Sequence, residues 1–195
     1  LCLGLFRILE ATRGQILIDD VDISQIGLEL LRDNISFIPQ NPKLIDGTLR
    51  ENIDPFGNYS DEEIIFQLNL IGLAYLLDDN GGLEVQIEAN GSNISVGEKQ
   101  LIFIVRAMLK KSKIIIMDEA NSSFDYKTDS LIQKCLMKSF QGCTLITIAH
   151  KIKTIINHDR IFVLECGELV ETGKPEELIA KKKGIFYELY LQSKV

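Results

Sequence analysis

The chain has 195 residues, which suits one domain at the usual size of about 100–200 residues. It carries 21 Lys+Arg against 28 Asp+Glu, a net charge of −7. That balance argues against a nucleic-acid binder, which draws most of its affinity from basic contacts to phosphate. An apolar content of 46% supplies a core and excludes a disordered chain, and no apolar run approaches the roughly 18 residues of a membrane helix.

Leu1–Glu10 reads as an apolar helix already under way, broken by Gly14. It has no basic n-region and no small-residue cleavage site, so no signal peptide is expected, and with Leu instead of Met as the first residue the expectation is a chain cut at its start. Gln15–Asp19 alternates like a strand. Ile35–Ile38 is a short apolar run stopped by the turn Pro39-Gln40-Asn41-Pro42. Ser60 with Glu63 has the spacing of a capping box, and Ile64, Leu68, Ile71 and Tyr75 follow at helical period, with Asp78–Gly82 as the stop. A further helix is predicted from Ser95 to Lys110, with Leu101, Val105, Met108 and Leu109 on one side.

Ile114–Met117 is a buried-strand run. A helix over Thr128–Phe140 and a strand at Cys143–Ile148 come next. Ile161–Leu164 and Glu168–Val170 form a hairpin around Gly167, and Pro175 with Glu176 and Glu177 opens a last helix. Lys181-Lys182-Lys183 reads as a solvated helix face. Strands that alternate with helices predict an α/β domain with a mostly parallel sheet. The mostly helical stretch 49–110 interrupts that alternation, so it is assigned to a helical subdomain, with 1–48 and 111–195 as the core. Cys2, Cys135, Cys143 and Cys166 lack metal-type spacing and read as small buried hydrophobes.

Four places carry chemistry. Ile114–Met117 runs into Asp118 and Glu119. Ligands of open parallel sheets bind beyond the carboxyl ends of strands, where one carboxylate can hold Mg²⁺ and its neighbour can orient a water. The same pair also suits a solvated turn. A second apolar strand ends at Ala149-His150, a polar group at a strand end that taken alone reads as a loop histidine. Gln40 sits in a Pro-bounded turn and fits a plain turn residue equally well. In Asn93–Gln100, Ser95 caps a helix start and Gly97 permits close backbone approach, which makes an anion site or a simple capping box with Glu98.

SVGEKQ, IIIMDEA and TIAH, in that order and spacing, resemble the nucleotide-binding domain of ATP-binding-cassette (ABC) transporters. The segment FIPQNPKLIDGTLRENIDPFGNYSDEEI and the tail DRIFVLECGELVETGKPEELI resemble the second such domain of the multidrug-resistance-associated subfamily C. The resemblance covers essentially the whole chain. It implies a P-loop NTPase (RecA-like) core with an inserted helical subdomain, which binds and hydrolyses ATP with Mg²⁺ to power transport. Gln40 and Asp118 would serve Mg²⁺, with Gln40 also sensing the γ-phosphate. Glu119 would polarise the attacking water, and His150 would contact the γ-phosphate. Ser95 and Gly97 would meet ATP held by a partner domain, and Asp125 would lie at the dimer interface. The implied partners are transmembrane domains and a second nucleotide-binding domain, with no nucleic acid, at the cytoplasmic face of a membrane.

Two departures stand out. No G-x-x-x-x-G-K-[ST] motif occurs; the near-match Gly167–Lys174 has five residues between its glycines and Pro175 after the lysine. The expectation is therefore that the domain's first strands and its Walker A loop lie before Leu1, and that the chain alone is a poor ATP binder and poorly stable. Glu98 stands where the family's signature usually has Gln. The alternative reading is a non-catalytic module that offers only its signature surface to a partner. A third, a cassette ATPase of translation or chromosome handling, is disfavoured by ENIDPFGNYSDEE and the SVG signature.

Overall fold

The computed structural model describes residues 1–77, 81–118, 139–149 and 151–193. They fall into two compact units, Leu1–Ile146 and Thr147–Val195.

The first unit opens with a short helix, α1 (Cys2–Leu5), well short of the predicted Leu1–Glu10. Arg7 takes a left-handed φ of 48° and turns the chain. Its guanidinium then donates to the main-chain oxygens of Ile23 (2.9 Å) and Ile26 (2.8 Å), a tertiary pull that overrides local helical propensity. The predicted strand at Gln15–Asp19 narrows to β1 (Leu17–Ile18), which pairs antiparallel with β2 (Val21–Asp22). A helix that pattern reading missed, α2 (Leu28–Asp33), precedes β3 (Ile35–Ile38), which matches its predicted bounds.

Next come β4 (Gly47–Thr48), α3 (Leu49–Ile53) and α4 (Asp61–Leu70). Both helices start at reciprocal capping boxes, Thr48 with Glu51 and Ser60 with Glu63. Each box satisfies two main-chain donors that the helix itself cannot. Helix α4 ends at Leu70, short of Tyr75: Gly72 adopts φ 78°, and Tyr75 sits in a separate 3₁₀ turn, Ala74–Leu77. The periodicity survived the break because Ile71 and Leu73 remain buried beyond the helix end. β5 (Gln86–Ile87) pairs antiparallel with β4.

Helix α5 (Val96–Lys110) follows, capped by Ser95 and closed by Lys111 in a left-handed conformation. Leu101, Val105, Met108 and Leu109 are buried as predicted, and so are Ile102, Ile104 and Ala107. The helix is thus enclosed on more than one side. β6 (Ile114–Asp118) and β7 (Thr144–Ile148) complete a three-stranded sheet in the order β3-β6-β7. β3 and β6 run parallel, with Ile35 opposite Ile114 and Ile38 opposite Met117. Leu49, Ile64, Leu68 and Ile102 join Ile38, Ile115 and Met117 in one core. Each such side chain contributes roughly 1.5–3 kcal/mol on burial. The predicted helix at Thr128–Phe140 lies almost wholly outside the described residues.

The second unit contains α6 (Ile152–Ile155), the hairpin β8 (Ile161–Glu165) and β9 (Glu168–Gly173), α7 (Pro175–Ala180) and α8 (Ile185–Gln192). Pro175 occupies the first turn of α7, as its fixed φ favours. The hairpin turns through Cys166 (φ 50°) and Gly167 (φ 85°), both left-handed, which marks a two-residue turn matched to strand twist. The turn leaves Cys166 exposed, contrary to the buried reading of the cysteines. The three lysines 181–183 are exposed but follow α7 instead of lying on it. Ile161, Leu178 and Phe186 form this unit's own core.

Candidate functional site

The parallel register of β3 and β6 sets the site. Ile38 is opposite Met117, so the residues that follow them, Pro39 after β3 and Asp118 at the end of β6, lie at the same carboxyl edge. Gln40 follows in a bend, half-buried. Asp118 is the last residue of β6 and is also half-buried. The Cys2 thiol is pushed up, first by burial and then by the negative charge of Asp118, so α1 lies within electrostatic reach of this edge. A carboxylate and a side-chain amide oxygen, both hard donors, suit Mg²⁺.

Helix α5 is joined to the same edge. The Gln100 side chain is fully buried, and its Nε2 donates to the Gln40 main-chain oxygen at 3.0 Å. One turn earlier, Ser95 and Gly97 begin the helix, Ser95 exposed and Gly97 half-buried. Ser95 Oγ accepts the Glu98 main-chain N–H at 3.3 Å, and Glu98 Oε2 accepts that of Ser95 at 2.7 Å. The other Glu98 oxygen accepts the Tyr75 hydroxyl. Burial works against the Glu98 charge, but the hydrogen bonds from Ser95 and Tyr75 outweigh it and leave the carboxyl below its ordinary range. Tyr75 is pushed the opposite way, by burial and then by its bond to Glu98.

A buried amide braces the turn after Gln40. Asn52 is fully buried on α3; its Oδ1 accepts Ile45 N–H at 2.9 Å, and its Nδ2 donates to Ile45 and Thr48 oxygens at 3.0 Å. The Arg106 guanidinium on α5 donates to the Asn52 main-chain oxygen and stacks 4.3 Å over the Phe103 ring. Sequence reading missed Asn52, Tyr75, Gln100 and Arg106 as parts of this frame. The one available signal was a polar residue placed among apolar ones, as Gln100 is beside Leu101 and Ile102.

The structure therefore brings Gln40 and Asp118 to one sheet edge and ties Gln40 to the helix that starts at Ser95 and Gly97. Glu119, Asp125 and His150 lie outside the described residues. Among the described residues, no cluster of three His, Cys, Asp or Glu forms, and no helix is long and apolar enough to cross a membrane.

A parallel sheet with polar residues at the carboxyl ends of its strands, backed by a long capped helix, is the architecture of a P-loop NTPase-type nucleotide-binding core. The whole chain superposes on a bacterial Atm1-family ABC exporter solved with ATP bound, with a TM-score of 0.92 and 28% identity, covering 100% of this chain and 34% of that one. The family model described as "ABC transporter" matches residues 1–122, and the chain belongs to that family. It is 48% identical over 184 residues to ATP-binding cassette sub-family C member 2 of Rattus norvegicus and of Homo sapiens. It is 46% identical over 186 residues to sub-family C member 3 of Homo sapiens. These matches cover 94% to 95% of the chain, which spans only 12% of the length of each of these relatives.

Proposed function

We propose that this chain is the ATP-binding and ATP-hydrolysing domain of an ABC transporter and that it powers movement of a substrate across a membrane. The observation that carries this reading is the shared carboxyl edge of β3 and β6, where Asp118 ends β6 and Gln40 lies two residues beyond β3, with Gln100 anchoring that turn to α5. Phosphoryl transfer needs positioned charges more than covalent chemistry from the protein.

In this reading Asp118 and Gln40 supply oxygen ligands to Mg²⁺. The ion, when bound, neutralises phosphate charge as a Lewis acid. Glu119 accepts a hydrogen bond from the attacking water and orients it. His150 contacts the γ-phosphate. Ser95 and Gly97, at the start of α5, present a hydroxyl and main-chain N–H groups to ATP carried by a second nucleotide-binding domain. Asp125 belongs to the interface with that domain. Transmembrane domains are the other partners, and the domain works at the cytoplasmic face. The deficit of basic charge leaves nucleic acid out of the partner set.

The test is Glu119→Gln in the full-length protein. ATP turnover falls at least about 100-fold, in line with loss of a group that acts on the reacting water, while ATP binding persists. Turnover that survives the substitution rejects the assignment.

A second reading rests on one observation: the 195 residues contain no G-x-x-x-x-G-K-[ST] loop. As an isolated polypeptide, the chain would then act as a non-catalytic module that offers its α5 start to a partner. The coding sequence directly upstream of Leu1 separates the two: an in-frame G-x-x-x-x-G-K-[ST] run there supports the first reading, and its absence supports the second.

A further inference from the structure

None of the ion pairs among the described residues includes Glu98. The neighbouring Lys99 turns away and donates to the Asn90 main-chain oxygen at 2.8 Å. Among the described residues, the donors to the Glu98 carboxylate are neutral. Ser95 N–H takes Oε2 at 2.7 Å, and the Tyr75 hydroxyl takes Oε1 from a 3₁₀ turn 23 residues away in sequence. The capping box explains the first bond, because a helix start needs that exchange. It does not require the second.

Tyr75 remains 52% exposed, so packing alone is a weak account of its place. What the second bond does is fix the direction of a negative charge. A carboxylate at a helix start and an incoming phosphate compete for the same N–H groups and the same positive end of the helix dipole. With one oxygen bound, the Glu98 carboxylate can rotate outward and face the phosphate. With both bound, it stays folded onto the cap.

We propose that Tyr75 is a positioning residue for the anion-binding face of α5, clamping the Glu98 carboxylate into the cap so that its charge stays off a nucleotide phosphate approaching Ser95 and Gly97. This inference rests on the proposed function for the source of that phosphate. Tyr75 touches no reacting atom; it acts through Glu98.

The experiment is ATP turnover against ATP concentration in the full-length protein, for Y75F, E98Q and the double variant. Phe keeps the ring and removes only the donor. A hydrogen bond to a charged group is worth enough that Y75F raises the half-saturating ATP concentration about 3–10-fold, with the maximal rate within about twofold. In the E98Q background the same substitution shifts it less than about 1.5-fold, because the charge to be clamped is gone. An equal shift in both backgrounds reduces Tyr75 to packing and overturns the inference, as does no shift at all. Gly97→Asp checks the underlying reading: unchanged turnover there rejects the placement of Gly97 in the proposed function. The clamp is then judged on hydrogen exchange of the Ser95 amide, which speeds up several-fold in Y75F if the hydroxyl holds the carboxylate in place. No change in that exchange rejects the clamp by itself.

Discussion

The side-chain Nε2 of Gln100 donates to the main-chain oxygen of Gln40 at 3.0 Å, joining α5 to the turn after β3 across sixty residues of chain. Gln100 is fully buried, so this bond is formed away from water. Gln100→Leu keeps the volume and removes the donor. The expected loss is about 1–3 kcal/mol of stability, since a main-chain oxygen loses its buried partner. Equilibrium urea unfolding measures it, and a loss below about 0.3 kcal/mol would mean that Gln40 is held by other contacts.

Ile64 and Leu68 are completely buried on α4, whereas Phe66 between them is exposed. Ile64→Ala and Leu68→Ala are each expected to cost about 2–5 kcal/mol through lost burial and the cavity left behind. Phe66→Ala should stay within roughly 0.5 kcal/mol, as a surface change does. The same unfolding measurement ranks the three, and a reversed order would contradict the orientation of α4.

The β8–β9 turn places both Cys166 and Gly167 at positive φ. Asn accepts this conformation better than Cys does, so Cys166→Asn is expected to raise stability by about 0.5–1 kcal/mol. Gly167→Val puts a β-branched residue at φ 85° and should cost at least about 1 kcal/mol. Thermal melts of the two variants should therefore move in opposite directions.

His158 Nε2 pairs with Thr147 Oγ1 at 2.9 Å inside the second unit. Burial pushes its pKa below the ordinary 6.5, and the opposing pull of Asp159 is smaller. The neutral form is thus favoured on folding. Stability from this group is present above about pH 6.5 and is lost as pH falls through the lowered value. Protection factors of amides in 147–193, corrected for the pH dependence of intrinsic exchange, should fall as pH drops below about 6.5, and His158→Gln should flatten that dependence. An unchanged profile in the variant would assign the acid response to other groups.

Asp118 ends β6 at the edge it shares with Gln40. Asp118→Asn preserves shape and removes the charge. Under the proposed function, the Mg²⁺ concentration for half-maximal ATP turnover should rise at least about tenfold, since a hard cation loses its anionic oxygen ligand. The urea midpoint should hardly move, because the group is half-buried at a strand end. A Mg²⁺ dependence that stays put would remove Asp118 from the metal site.

Local chemistry made much of the chain legible in advance. The Ser60–Glu63 and Ser95–Glu98 boxes read directly as helix starts, because a cap is decided within four residues. Ile35–Ile38 read as a strand since apolar β-branched runs bounded by turns have few other uses. For the site, the apolar strand that ends in Asp118 was visible, as were Gln40, Ser95 and Gly97.

Long-range partners were not visible in that way. The Leu1–Glu10 pattern is helical in period, yet the helix stops at Leu5 because Arg7 finds carbonyls at Ile23 and Ile26. Tyr75 keeps helical spacing with Ile71, yet it belongs to another turn and faces Glu98. Asn52 and Gln100 look like ordinary polar residues until folding buries them and supplies their partners. By itself the sequence determined the family, the acidic balance, the capped helices and the polar residues at strand ends, all of which follow from neighbours along the chain. Only the tertiary structure decided which strand ends share an edge, which amide holds Gln40 and which hydroxyl holds Glu98. Hydrogen bonds between residues tens of positions apart depend on register and packing, and no local pattern encodes either one.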